Sequence, residues 1–164
     1  MKNRTQQHKG FTIVEVLLAL TISALLLTAV ATAFNASVTN YQENLALYES
    51  VNGARQALTR MTAELGRCLE VTSVTADACT FTNADSEEVI YEFEDENDRI
   101  VLTKGGKSYD LCTNVTTANF DFEQKALDDG GSKCTGVRIN LTVSAGHTEK
   151  TMASAVAIRR QLDW

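Results

Sequence analysis

The sequence holds no proline, one tryptophan and two histidines in 164 residues. Without proline, no helix in it carries a proline kink. The histidines are His8, in a polar and basic leader, and His147, in the turn signal Ala145-Gly146-His147. A Ser-His-Asp or Cys-His constellation would have to be built on His147 without other support. The glycine pairs Gly105-Gly106 and Gly130-Gly131 read as turns with no phosphate-binding helix behind them, and no Walker or dinucleotide glycine pattern occurs. None of the four cysteines, Cys68, Cys79, Cys112 and Cys134, has the CxxC spacing of zinc or thioredoxin-like sites. These absences predict a protein that is not an enzyme and carries no cofactor.

Charge is missing where it matters most. Between Glu15 and Glu43 there is no Asp, Glu, Lys or Arg, so the uncharged run from Val16 to Gln42 exceeds the roughly 20 residues that cross a bilayer core. Ahead of it, Lys2, Arg4 and Lys9 lie on the side that the positive-inside rule leaves in the cytoplasm. Glu15 is the exception, since a carboxylate deep in a lipid-facing helix costs on the order of 2.5–3.5 kcal/mol. Two readings account for it. It lies near the headgroups, where water meets it, or it is neutralised by an ammonium on a neighbouring copy.

The stretch Lys9-Gly10-Phe11-Thr12-Ile13-Val14-Glu15-Val16-Leu17-Leu18-Ala19-Leu20 resembles the type IV prepilin processing motif. That resemblance implies cleavage after Gly10 by the inner-membrane prepilin peptidase, N-methylation of Phe11 by the same enzyme, and assembly through packed N-terminal helices. It also implies that Glu15 meets the Phe11 ammonium of a neighbouring subunit. Many major pilins bend this helix at a proline, and this chain has none. The competing reading is an ordinary secretory signal cut at Ala31-Thr32-Ala33, giving a secreted or membrane-anchored periplasmic binding domain that starts at Phe34. Against it stand the length of the apolar core and the early Glu15.

Beyond Phe34 the helical period continues. Tyr41, Leu45, Tyr48, Val51, Leu58, Met61 and Leu65 recur at three- and four-residue steps or their multiples, with Glu43, Glu49, Arg60, Glu64 and Arg67 off that stripe. Arg55 falls on the stripe, with its stem on apolar surface and its guanidinium reaching water. Gly53 is an interior weak point worth about 1 kcal/mol against Ala. The spacing predicts one helix from about Phe11 to Arg67.

After Cys68 the period is two. Val89, Tyr91 and Phe93 alternate with Ile90, Glu92 and Glu94, Asp95 to Asp98 turns, and Ile100 to Thr103 leads through the hairpin signal at Gly105-Gly106 to Ser108–Leu111. Phe120 and Phe122 mark another strand, Asp128 to Ser132 a flexible loop, and Val137, Ile139, Leu141 and Val143 a one-sided strand turning at Gly146 into a last one. The predicted fold class is α+β and type IV pilin-like: an N-terminal helix, transmembrane in its first half and amphipathic in its second, packed on an antiparallel sheet. The divisions are a leader at 1–10, a membrane or filament-core helix at 11–34, its amphipathic half at 35–67 and a globular head at 68–164. The order of late elements is similar to that of minor subunits, the PilW-like pilins and J-type pseudopilins.

The four cysteines all follow the membrane segment, and disulfides imply an oxidising compartment. Three connectivities exist, of which nearest neighbours, Cys68 with Cys79 and Cys112 with Cys134, close the shortest loops. Removal of the leader takes away Lys2, Arg4 and Lys9 and moves the net charge from −6 to −9. An acidic surface argues against nucleic acid as a partner. The run from Asp85 to Asp98 is a weak calcium candidate set against a solvated hairpin, and Asp128-Asp129-Gly130-Gly131 is a second. The expected partners are other pilin or pseudopilin subunits, the prepilin peptidase and the inner membrane.

Overall fold

The computed structural model describes residues 10–126 and 132–159. The leader before Gly10 and the Asp128-Asp129-Gly130-Gly131 loop lie outside the described residues. The chain divides into two compact units, Met1–Gln42 and Glu43–Trp164.

Helix α1 spans Ile13–Leu65, two residues shorter at each end than the period suggests. Within the first unit its side chains are exposed throughout. The threonines of this apolar stretch do not leave their hydroxyls unpaired. Thr21, Thr28 and Thr32 donate to the carbonyls of Leu18, Leu25 and Ala29 at 2.8, 2.8 and 2.9 Å. Such back-bonding satisfies a polar group where the surroundings offer none.

In the second unit the helix buries Ser50, Ala54, Ala57, Leu58, Met61 and Leu65. This corrects the predicted stripe at its start. Leu45 and Tyr48 stay exposed, Tyr48 at 66%, and so does Tyr41. The reason is rotational: at about 100° per residue, Leu45 and Tyr48 lie roughly 150° around the helix from the docked face. A chain of three-residue steps walks backward around a helix, so the spacing joined two different faces. What docks instead is a row of small residues, Ser50, Ala54 and Ala57, which lets the helix approach the strands closely. Arg55 is exposed, as expected.

Eight strands follow: β1 Glu70–Val74, β2 Ala78–Thr82, β3 Glu88–Glu94, β4 Arg99–Lys104, β5 Lys107–Thr113, β6 Val115–Ala126, β7 Ser132–Ala145 and β8 Thr148–Ala157. They form two antiparallel sheets, β1-β2-β3-β4-β5 and β6-β7-β8, where the period alone suggested one. A single turn of 3-10 helix, Asp95–Asn97, joins β3 to β4. Gly105 and Gly106 both have positive φ, 58° and 74°, which a two-residue hairpin between β4 and β5 requires. The change of sheet happens at one residue, Asn114, in the left-handed region with φ 59°.

The core is shared by the helix and both sheets. Tyr91 and Phe81 from the first sheet, with ring centroids 5.5 Å apart, and Ile139 and Leu141 from the second are all fully buried with Met61 and Leu65. Phe122, expected with Phe120, is instead half-exposed in the second half of β6. The arrangement is α+β and type IV pilin-like: one long N-terminal helix whose second half packs on antiparallel sheets.

Candidate processing and assembly site

Thr12 sets the start of α1. Its backbone carbonyl accepts from Val16 N–H at 3.2 Å and its hydroxyl oxygen accepts from Glu15 N–H at 3.3 Å. That is the first half of a capping box, Thr-x-x-Glu, with Glu15 at the third helical position. The signal is present in the sequence as Thr12 three residues ahead of Glu15, at the head of an apolar run. A carboxylate in the first turn also faces the positive end of the helix dipole, worth about 0.3–1 kcal/mol at an exposed site.

Gly10 lies just outside the helix, with nothing within 4 Å of where a Cβ would stand. Crowding in the folded chain therefore does not demand glycine here. Phe11 follows, 81% exposed. Phe11, Glu15, Val16, Ala19, Leu20 and Ser23 line an open, mainly apolar groove of about 320 Å³. One carboxylate stands on an otherwise apolar helical surface beside the residue that a cut after Gly10 would make the new N-terminus. Ala19 and Ser23 are one and two turns on, leaving room for close approach of another backbone.

The structure joins none of the cysteines by a disulfide among the described residues. It also separates the nearest-neighbour pair Cys112 and Cys134. Cys112 sits on β5 opposite Ile100 and against Gly53, whose Cβ position is 3.7 Å from its sulfur. Cys134, half-buried on β7, lines a hollow with Val71–Val74 of β1. Burial pushes the Cys79 thiol up to about 12, with Cys134 and then Cys68 adding to the effect, and pushes Cys112 up to about 11. Gly53 thus lies against Cys112, with space for a methyl group at ordinary contact distance.

Two acids of the run are paired at the hairpins. Glu94 pairs with Arg99 at 2.7 Å, Arg99 with Asp110 at 3.0 Å, and Glu87 with Lys104 at 3.0 Å. These partners hold the Glu94 and Glu87 carboxyls below the usual range. His147 sits in the β7–β8 turn.

Residues 5–31 match the prokaryotic N-terminal methylation motif. The match contains Gly10, Phe11, Thr12 and Glu15 and ends inside the apolar part of α1, so it covers the site and none of the head. The methylation motif marks a pilin- or pseudopilin-like substrate of the prepilin peptidase. Together with the one described helix long and apolar enough to cross a membrane, it is consistent with membrane anchoring and pilus-type assembly. No curated protein matches the chain.

Proposed function

We propose that this chain is a minor pilin or pseudopilin, cut after Gly10, methylated on Phe11 and built into, or priming, a type IV pilus or a type II secretion pseudopilus. The observation that carries the reading is the methylation motif, with Glu15 in the first turn of an apolar helix. The subunit works by assembly and not by catalysis, needs no cofactor, and keeps its head in the periplasm before entering the filament. Its partners are other pilin-like subunits, met through the Phe11–Glu15 groove.

Ala31-Thr32-Ala33 lies in mid-helix, where Thr32 is back-bonded to Ala29. A peptidase needs extended backbone, so this favours the cut at Gly10 over one at Ala33. N-terminal sequencing and intact mass of the mature protein test the reading. N-methyl-Phe11 is expected; a start at Phe34 would replace the pilin reading with a secreted domain. Gly10→Leu should retain the leader, and normal mature size on a gel would count against the cut site.

A further inference from the structure

The sheet order decides which cysteines can meet. Strands in a sheet are about 4.8 Å apart, so β2 and β5, three positions apart, are separated by about 14 Å, and β1 and β5 by about 19 Å. A disulfide needs its two Cα atoms within about 7 Å. Cys112 on β5 is therefore out of reach of Cys79 on β2, and of Cys134, which lies beside β1. Cys68 and Cys79 also fail, although both are buried. Leu69 N–H donates to the Thr82 carbonyl at 2.8 Å, which sets Cys68 at the Thr82 end of β2. Three residues, about 10 Å along the strand, separate that end from Cys79.

Two pairings are left, Cys68 with Cys134 and Cys79 with Cys134, and strand register favours the second. Cys79 is paired in register with Val74, and Val74 and Cys134 line the same hollow. Cys134 packs against the core that Cys79 belongs to. We propose that Cys79 and Cys134 are the disulfide-forming pair of the head, joining β2 of the first sheet to β7 of the second, and that Cys112 stays a thiol. The proposal rests on the periplasmic placement above for its oxidant in the cell, a dithiol–disulfide oxidoreductase in its disulfide form.

The thiolate of Cys134, the most exposed of Cys68, Cys79 and Cys134, attacks the oxidant's disulfide, and one oxidant sulfur leaves and takes up a proton. Cys79 loses its proton and attacks the Cys134 sulfur, releasing the second oxidant thiol. Two protein thiols are oxidised and one disulfide is reduced to two thiols. Burial holds the Cys79 thiol protonated in the finished core, so the closing step belongs to the folding chain, before β2 is covered.

The test is to refold the full-length chain in detergent with a mixture of oxidised and reduced glutathione, alkylate without reduction, and map the peptides. Trypsin places Cys68 and Cys79 in residues 68–99, Cys112 in 108–125 and Cys134 in 134–138, and a second cut after Glu70 parts Cys68 from Cys79. The expected result is a peptide with Cys79 linked to one with Cys134, and an alkylated Cys112. A Cys68–Cys79 link, a Cys68–Cys134 link, any link to Cys112, or no link would overturn the pairing. Cys112→Ser should keep the link and Cys134→Ser abolish it. A linked pair in the refolded chain with unlinked thiols in chain drawn from the cell envelope upholds the pairing and overturns the placement.

Discussion

Asn114 donates its side-chain Nδ2–H to Ser50 Oγ at 3.0 Å, and the Ser50 hydroxyl in turn donates to the Ala46 carbonyl at 3.0 Å. The residue at which the chain changes sheets is thus tied to the helix that both sheets pack on. Ser50 is the one buried polar residue among those described, and this chain of donors is what satisfies it.

Asn114→Ala should therefore cost about 2 kcal/mol, roughly 1 for the hydrogen bond and 1 because Ala lacks the short polar side chain that lets Asn tolerate the left-handed region. Asn114→Gly keeps the backbone and loses only the bond, so it should fall between. Thermal melting in detergent, followed by circular dichroism, checks the order; equal loss in both variants would mean the φ constraint contributes nothing.

Gly53→Ala should stabilise by about 0.5–1 kcal/mol, because helix propensity improves and the new methyl meets the Cys112 sulfur at ordinary contact distance, 3.7 Å. Gly53→Leu adds volume against the same sulfur and should lose stability. The sign change between the two variants, read as a shift in melting temperature, is the test.

Alkali should weaken the head. Burial and the Glu64 carboxylate, which accepts from the Tyr91 hydroxyl at 2.7 Å, raise the Tyr91 phenol. Cys79 and Cys112 are raised from 9.0 to about 12 and about 11. An acid raised on folding contributes its stability below the unfolded value and loses it as pH climbs through the folded one. With both thiols reduced, the melting temperature should decline from pH 9.0 upward. Removing both thiols by Cys79→Ala and Cys112→Ala should flatten that limb, allowing for their lower starting stability, and an unchanged slope would remove the thiols as its cause.

On the acid side the sign reverses. Glu87 and Glu94 are lowered from 4.5 by Lys104, Asn83, Arg99 and Asn97, so their contribution is present above pH 4.5 and lost as pH falls through the lowered values. These groups are exposed, so added salt should shrink the effect. Arg99→Gln frees both Glu94 and Asp110 and should make the acid limb shallower; a limb as steep as in the parent chain would assign it to other carboxylates.

Glu15→Gln should leave the fold of the head and membrane insertion unchanged while lowering the filament fraction, and Glu15→Val should lower it further. The neutral side chain costs less in lipid, yet gives nothing to the Phe11 ammonium of a neighbour. The ratio of filament to membrane-bound protein is the measurement. Undiminished incorporation of both variants would reduce Glu15 to an interfacial acid that also occupies a capping position.

Local features carried much of this protein into view. The uncharged run, the Gly10-Phe11 boundary and Glu15 are properties of consecutive residues, and so are the period-two strands at Val89–Phe93 and Val137–Val143 and the turn at Gly105-Gly106. Only the tertiary structure decided which face of α1 docks, because helical period is blind to the difference between a partner sheet and open solvent; Tyr48 and Leu58 read alike and end on different sides. The split into two sheets depended on a single left-handed residue, Asn114, held by a side chain 64 positions away, and no short window of sequence contains both ends of that bond. The cysteines show the same limit. Their spacing favoured neighbours in the chain, but strand order, a non-local outcome of packing, puts Cys112 at one edge of a sheet and Cys134 beside the other.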